Sequence, residues 1–144
     1  MKRKQFLRST GKGLLALGCC GATSVVTSCT NYYFAKYVEN NNTLKIDKLE
    51  FKEHAFVLIE HRALPKPLYV EADFENQPLA LLLECSHKNC QVRPIERGFA
   101  CPCHGSEFDK TGHVVKDPAD KPLYRFEAWQ DESYIYVDLP LENT

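Results

Sequence analysis

Acidic residues are missing from the first 38 positions: Lys2, Arg3, Lys4, Arg8 and Lys12 all precede the first carboxylate, Glu39. The sixteen residues after Lys12, GLLALGCCGATSVVTS, carry no charge of either sign. A basic start, an apolar middle and small residues behind it are the layout of an export signal. The apolar run is shorter than the roughly 20 residues a bilayer core requires, and it is rich in Gly, Ser and Thr, which argues against a retained membrane helix. Sustained helical periodicity is also absent beyond this segment, as is any internal repeat, so the remaining chain is not expected to be helical or repetitive. A basic surplus is lacking too, with 18 Lys and Arg against 19 Asp and Glu. Removing the leader with its five basic residues leaves 13 basic and 19 acidic residues, a net charge near −6. Such a domain repels phosphate backbones, which excludes nucleic acid as a partner, and steers towards cationic protein surfaces.

What is present is one ordinary globular domain with an appendage: 144 residues, 44% hydrophobic and 26% charged. Two short runs in the appendage resemble processing signals. Arg3-Lys4-Gln5-Phe6-Leu7-Arg8 resembles a twin-arginine signal with Lys in place of the second Arg, and that route exports proteins already folded around their cofactors. Val26-Thr27-Ser28-Cys29 resembles the lipobox of bacterial lipoproteins, which implies lipidation of Cys29 as the first residue of the mature chain. Cys19 fits less well, having no aliphatic residue three positions earlier. The expected organisation is an export signal over 1–28, a tether over 29–43 and a folded domain over 44–144, held by a lipid anchor on the periplasmic side of a bacterial membrane. In the tether, Tyr32, Tyr33, Phe34 and Tyr37 suit either the headgroup region of a membrane or packing on the domain. The Asn run after them reads as a linker, and about 13 extended residues would reach roughly 45 Å.

From residue 44 the pattern is β. LKIDKLEF, AFVLIEH, PLYVEAD, PLALLLE, GHVVK, LYRFEAW and YIYVDL are short runs of β-branched and aromatic residues separated by polar, Pro or Gly positions. An antiparallel all-β domain of stacked small sheets is expected, with Gly98 and Gly112 at hairpin turns that require positive φ.

The chemistry is concentrated in two segments, Cys85-Ser86-His87-Lys88-Asn89-Cys90 and Cys101-Pro102-Cys103-His104-Gly105-Ser106. Each offers one Cys and one His at ligand spacing and one further Cys. Four such donors can hold a [2Fe–2S] cluster with two thiolates on one iron and two imidazoles on the other. A closed Cys₂His₂ zinc site in a binding module uses the same residue types but leaves the additional Cys pair and the Gly-Ser after His104 without a role. A catalytic Cys–His pair finds no accompanying nucleophile motif. His54, His61 and His113 have no ligand spacing and are expected at the surface.

In these two boxes the chain resembles the Rieske iron–sulfur proteins, specifically the disulfide-bearing branch found in quinol:cytochrome c reductases and in the small subunits of periplasmic oxidoreductases of arsenite oxidase type. The resemblance implies an antiparallel β-sandwich or barrel with an inserted cluster-binding subdomain. It implies Cys85, His87, Cys101 and His104 as cluster ligands and a Cys90–Cys103 disulfide bracing the two loops. It also implies outward ring nitrogens on His87 and His104 able to meet a quinol. Ser106 matches a serine that donates to a bridging sulfide, whereas Phe108 stands where high-potential members carry a tyrosine that donates to a ligand sulfur. Asp117-Pro118-Ala119-Asp120 resembles a Gly-Pro-Ala-Pro loop covering the cluster, with acids at both ends, and Lys88 fills a position often apolar in quinol-docking members. The function implied is one-electron transfer, as part of a quinol-oxidising respiratory complex with a cytochrome b-type subunit and a cytochrome c-type acceptor. The alternative is an oxidoreductase small subunit that relays electrons from another subunit.

Overall fold

The computed structural model describes residues 31–73 and 76–140, and within them every named strand pairing is antiparallel. The export signal, both processing motifs, Cys19 and Cys29 lie outside the described residues.

Three small sheets make the fold. The first has the order β1 (Val38–Asn40), β2 (Thr43–Asp47), β11 (Tyr134–Asp138), β10 (Ala128–Gln130). The second is β3 (Phe56–Ile59), β4 (Leu68–Glu71), β5 (Leu79–Leu82). The third is β6 (Arg93–Ile95), β7 (Gly98–Ala100), β8 (Glu107–Phe108), β9 (Val114–Lys116). All four strands of the third sheet lie in the chain between β5 and β10, so it is an insertion into a domain built from the other two.

The second sheet is the middle layer, and its side chains show why. Side chains alternate across a strand, and here both alternating sets are apolar. Val57, Ile59, Leu68, Val70 and Ala80 join Leu44, Ile46, Ile135 and Val137 of the first sheet in one core. Leu58, Tyr69 and Leu81 enter a second core with Phe99 and Phe108 of the inserted sheet. A strand buried on both faces reads as a continuous hydrophobic run, which is the form of AFVLI and LALLL. At roughly 25 cal/mol per Å² of apolar surface, such double burial supplies most of the drive to assemble the layers.

Residues 32–43 belong to this fold, which therefore begins well before position 44. Phe34 forms a bridge to Leu58 on the edge strand β3, with Leu58 N–H donating to the Tyr33 carbonyl and Ala35 N–H to the Leu58 carbonyl, both at 2.9 Å. Tyr32 packs against Phe56 and donates its hydroxyl to the Pro94 carbonyl. The Asn run is a two-residue hairpin turn rather than a linker. Asn40 pairs with Thr43, and Asn41 and Asn42 between them both have positive φ, 48° and 66°. That backbone matches the twist of the flanking strands, and Asn is among the few residues that adopt it readily.

The run LKIDKLEF divides at Asp47, whose carboxylate accepts from Leu49 N–H and caps one turn of 3₁₀ helix, Lys48–Phe51. LYRFEAW contributes a strand only from Ala128; Arg125 makes an isolated bridge to Leu81. Gly98 and Gly112 take φ of 141° and 90° at the hairpins β6–β7 and β8–β9, as their sequence contexts suggest. His54 and His113 are exposed, but His61 is buried, contrary to the expectation from its spacing. Its Nδ1 accepts the Ala63 N–H, and its Nε2 lies 3.2 Å from a Glu39 carboxylate oxygen without making a hydrogen bond to it. No helix among the described residues is long and apolar enough to cross a membrane.

Candidate metal centre

Two loops at one end of the inserted sheet carry the two cysteine-histidine boxes, and they are built alike. In the first, Cys85 N–H donates to the Cys90 carbonyl at 2.9 Å and Asn89 N–H returns to the Cys85 carbonyl at 2.9 Å. In the second, Cys101 N–H donates to the Ser106 carbonyl at 2.8 Å and Gly105 N–H to the Cys101 carbonyl at 3.1 Å. Each loop thus closes on its own leading cysteine. The residue four positions on turns the chain through positive φ, 53° at Asn89 and 81° at Gly105.

This closure sends the leading thiols inwards and the histidines outwards. Cys85 and Cys101 are reduced and buried, at 1% and 2% exposure, in the core that also holds Phe99 and Phe108. His87 is half-buried and His104 exposed, their rings 4.8 Å apart and nearly perpendicular at 86°. Cys90 and Cys103 are joined by a disulfide with Cα atoms 6.5 Å apart, tying one loop to the other.

A third segment closes over both. The Asp117–Pro118 peptide is cis, and the buried Ala119 after it donates its N–H to the Ser106 hydroxyl oxygen at 3.0 Å. Ser106 is fully buried, and because that bond uses it as an acceptor, its O–H remains available to donate. On the other side, the Ser86 hydroxyl donates to the Lys121 carbonyl at 2.9 Å and accepts the Lys121 N–H at 3.2 Å. Sequence reasoning missed Ser86. Its only local signal was its place between Cys85 and His87, since its partner lies 35 residues away.

The donor set fits a two-iron cluster. His87 Nδ1 is buried without a hydrogen-bond partner, a state that costs about 1–3 kcal/mol unless a ligand bond replaces the missing one. A single tetrahedral zinc would need all its donors within about 4 Å of one another. Among the described residues, the three donors that converge within 4.8 Å are Cys90, Cys101 and Cys103, and two of those are committed to the disulfide. Cys85, His87 and His104 form no such convergent group with Cys101 among the described residues, as a site for one ion would require.

The surroundings are apolar below and charged at the rim. Phe108 is buried with the two thiols and carries no hydrogen-bond donor. Tyr69 packs edge-on against Phe99 at 4.9 Å, and burial followed by the Glu71 charge pushes its phenol far above the ordinary range, so it stays neutral there. Asp117, Asp120 and Lys88 are exposed, where water and salt screen their effect on the interior.

A family profile for the Rieske [2Fe-2S] domain matches residues 32–127. Among curated proteins, cytochrome b6-f complex iron-sulfur subunit 2 of Nostoc sp. (strain PCC 7120) is 33% identical over 75 residues, 51% of this chain and 42% of that protein. The cytochrome b6-f complex iron-sulfur subunit of Synechococcus elongatus is 40% identical over 77 residues, 51% of this chain and 43% of its own. These matches span less than half the length of either relative. The plasma membrane Rieske protein PetC3 of Synechocystis PCC 6803 superposes with a TM-score of 0.55 at 28% identity, covering 65% of this chain and 95% of that one. With the family profile spanning most of the folded domain and a Rieske structure sharing its architecture, this chain belongs to the Rieske [2Fe-2S] family, electron-transfer proteins that carry a two-iron cluster.

Proposed function

We propose that Cys85 and Cys101 ligate one iron of the cluster and His87 and His104 the other. We further propose that the protein accepts single electrons from quinol as the Rieske component of a membrane quinol-oxidising complex. The observation that carries this reading is that the two imidazole rings meet 4.8 Å apart, from two loops whose leading thiols are buried. When bound, the cluster supplies a one-electron acceptor whose potential is high for its class, because neutral imidazoles replace anionic thiolates. The tips then offer an imidazole edge to a quinol hydroxyl, while the core of Phe99, Phe108 and Leu83 keeps water from the sulfur side. A cytochrome b-type subunit is the donor-side partner and a c-type cytochrome the acceptor. The relatives named as cytochrome b6-f subunits support this assignment.

Export by the leader, lipidation of Cys29 and a periplasmic location complete the proposal. The Cys90–Cys103 disulfide is in keeping with an oxidising compartment. A second reading, the small subunit of a periplasmic oxidoreductase of arsenite oxidase type, is favoured by the incorporation of residues 32–43 into the fold. A domain without a long tether suits a relay held at fixed distance from its partner.

The test is electron paramagnetic resonance of the dithionite-reduced protein with metal analysis. Two irons per chain and the low average g of mixed Cys/His ligation are expected; stoichiometric zinc without that signal would overturn the ligand assignment. Purification from native membranes separates the two functional readings, since a b-type cytochrome accompanies the first and a molybdenum-containing subunit the second.

A further inference from the structure

We infer that the domain lies directly on the bilayer through a small apolar rim formed by Tyr33, Phe34 and Leu49, which places one particular face of the protein against the lipid. The inference rests on the proposed lipidation of Cys29 and goes beyond it by naming the face.

The first constraint is chain length. Tyr32 is already fixed, by its ring against Phe56 and its hydroxyl on the Pro94 carbonyl, and it follows Cys29 by three positions. Three extended residues reach about 10 Å, so an acyl chain on Cys29 holds the domain flush with the headgroups and leaves no length for a swing. Whatever surface surrounds the chain entry must then face lipid.

The second constraint is the chemistry of that surface. Leu49 is 67% exposed, Phe34 45% and Tyr33 38%, and among the described residues they are three of only eight large hydrophobic side chains so exposed. They sit together. The Tyr33 ring stacks on His54 at 4.2 Å and its hydroxyl donates to Glu50, the neighbour of Leu49, at 2.7 Å. The same Glu50 oxygen accepts the Lys36 N–H at 3.2 Å, so one carboxylate fastens residues 33–36 onto the 3₁₀ turn. A shallow depression of about 360 Å³ runs between Tyr33, Leu49 and His54. Glu50, Lys52 and Glu53 complete its lining, and exposed Lys36 follows beside Glu50. Aromatic rings with polar edges and lysines with long apolar stems are the side chains that settle at headgroup depth.

The third point is what this orientation does to the site. Tyr32 contacts β6, the edge strand of the inserted sheet, whereas Val115 lies on β9, the opposite edge. The cluster loops occupy the end of the β6–β7 hairpin away from its Glu96–Arg97 turn. None of the rim residues belongs to the cluster loops, so seating the rim on lipid leaves the loop tips free for a partner.

The experiment places a nitroxide on Leu49→Cys, or on Val115→Cys as the reference, in the mature acylated protein, beginning at Cys29, reconstituted in phosphatidylcholine vesicles. The other cysteines of the mature holoprotein are acylated, cluster-bound or disulfide-bonded, so the new thiol is the one labelled. Relative accessibility to oxygen against a water-soluble nickel chelate should be several-fold higher at 49 than at 115. Adding Phe34→Glu to the Leu49→Cys protein should bring that ratio down towards the reference. If the protein carries its acyl group and the two positions report the same aqueous environment, the rim does not face lipid and the inference fails while the anchor stands. If mass spectrometry finds no acyl group on Cys29, the anchor reading falls and takes the inference with it.

Discussion

Asn89 and Gly105 hold the same place in the two cysteine-histidine loops. Each is the fourth residue after a buried cysteine, each donates its N–H to that cysteine's carbonyl, and each has positive φ. The two loops are therefore one turn used twice, facing itself across the disulfide.

Gly105 and Gly98 differ in what a side chain would meet. A Cβ at Gly105 would meet nothing within 4 Å, so Gly105→Ala should cost only its left-handed backbone, about 1–2 kcal/mol. At Gly98 a Cβ would run into the Phe108 carbonyl and the Asp109 backbone where β7 pairs with β8. Gly98→Ala should cost more, about 3 kcal/mol or above, because rigid main chain must move as well. Denaturant titration of both variants should show that order, and equal losses would contradict the packing.

Removing the disulfide with the double change Cys90→Ser and Cys103→Ser should lower stability by about 3 kcal/mol in the chain-entropy view of a loop this size. Iron should also be lost faster, since the two loops are then joined only through the sheet and the segment over 117–121. Iron release followed by visible absorbance during incubation with a chelator measures it.

Ser106→Ala removes the acceptor of the Ala119 N–H and leaves that buried donor unpaired, at about 1–3 kcal/mol. Its lost O–H should also lower the reduction potential. Phe108→Tyr should act in the opposite direction, as one added net hydrogen bond of about 1 kcal/mol is roughly 40 mV for one electron. Redox titration with an intact cluster signal decides it. A potential unchanged or lowered in Phe108→Tyr would mean that the ring does not lie beside a ligand sulfur.

Ser86→Ala should loosen the segment over 117–121 from the first loop without touching a proposed ligand, because it deletes both bonds to the Lys121 backbone. Faster amide exchange at Lys121, with the iron content retained, is the expected result.

Acid should weaken the β8–β9 turn. The Asp109 carboxylate accepts from the Thr111 hydroxyl first, and also from the Thr111 and His113 N–H groups, which hold it below the ordinary carboxylate range. A depressed folded pKa contributes stability above the unfolded value, near 4, and that contribution is lost as pH falls through the folded value. Asp109→Ala should therefore lose more stability at pH 7 than at pH 3, by an amount kept small by the group's exposure.

The two cysteine-histidine boxes and the all-β class were legible in the sequence because they are local facts. Residue type and spacing are fixed along the chain, and the doubly buried strands of the middle sheet are long enough to show their composition. The disulfide followed from family resemblance alone, and it took the fold to place Cys90 beside Cys103. Strands β6, β7 and β8 are two or three residues long, too short to show a period of two, so their sheet emerged only from its pairings. His61 looked like a surface residue because nothing near it in sequence announces Glu39, 22 positions away. The same holds for Ser86 and Lys121. The aromatic segment before position 44 was open to two readings, since its rings suit lipid and protein alike. Tertiary structure decided the course of the backbone: residues 33–35 bond to the edge of β3, and two consecutive left-handed asparagines turn the chain back on itself, so most of the tether is part of the domain while the Tyr33 and Phe34 rings stay exposed.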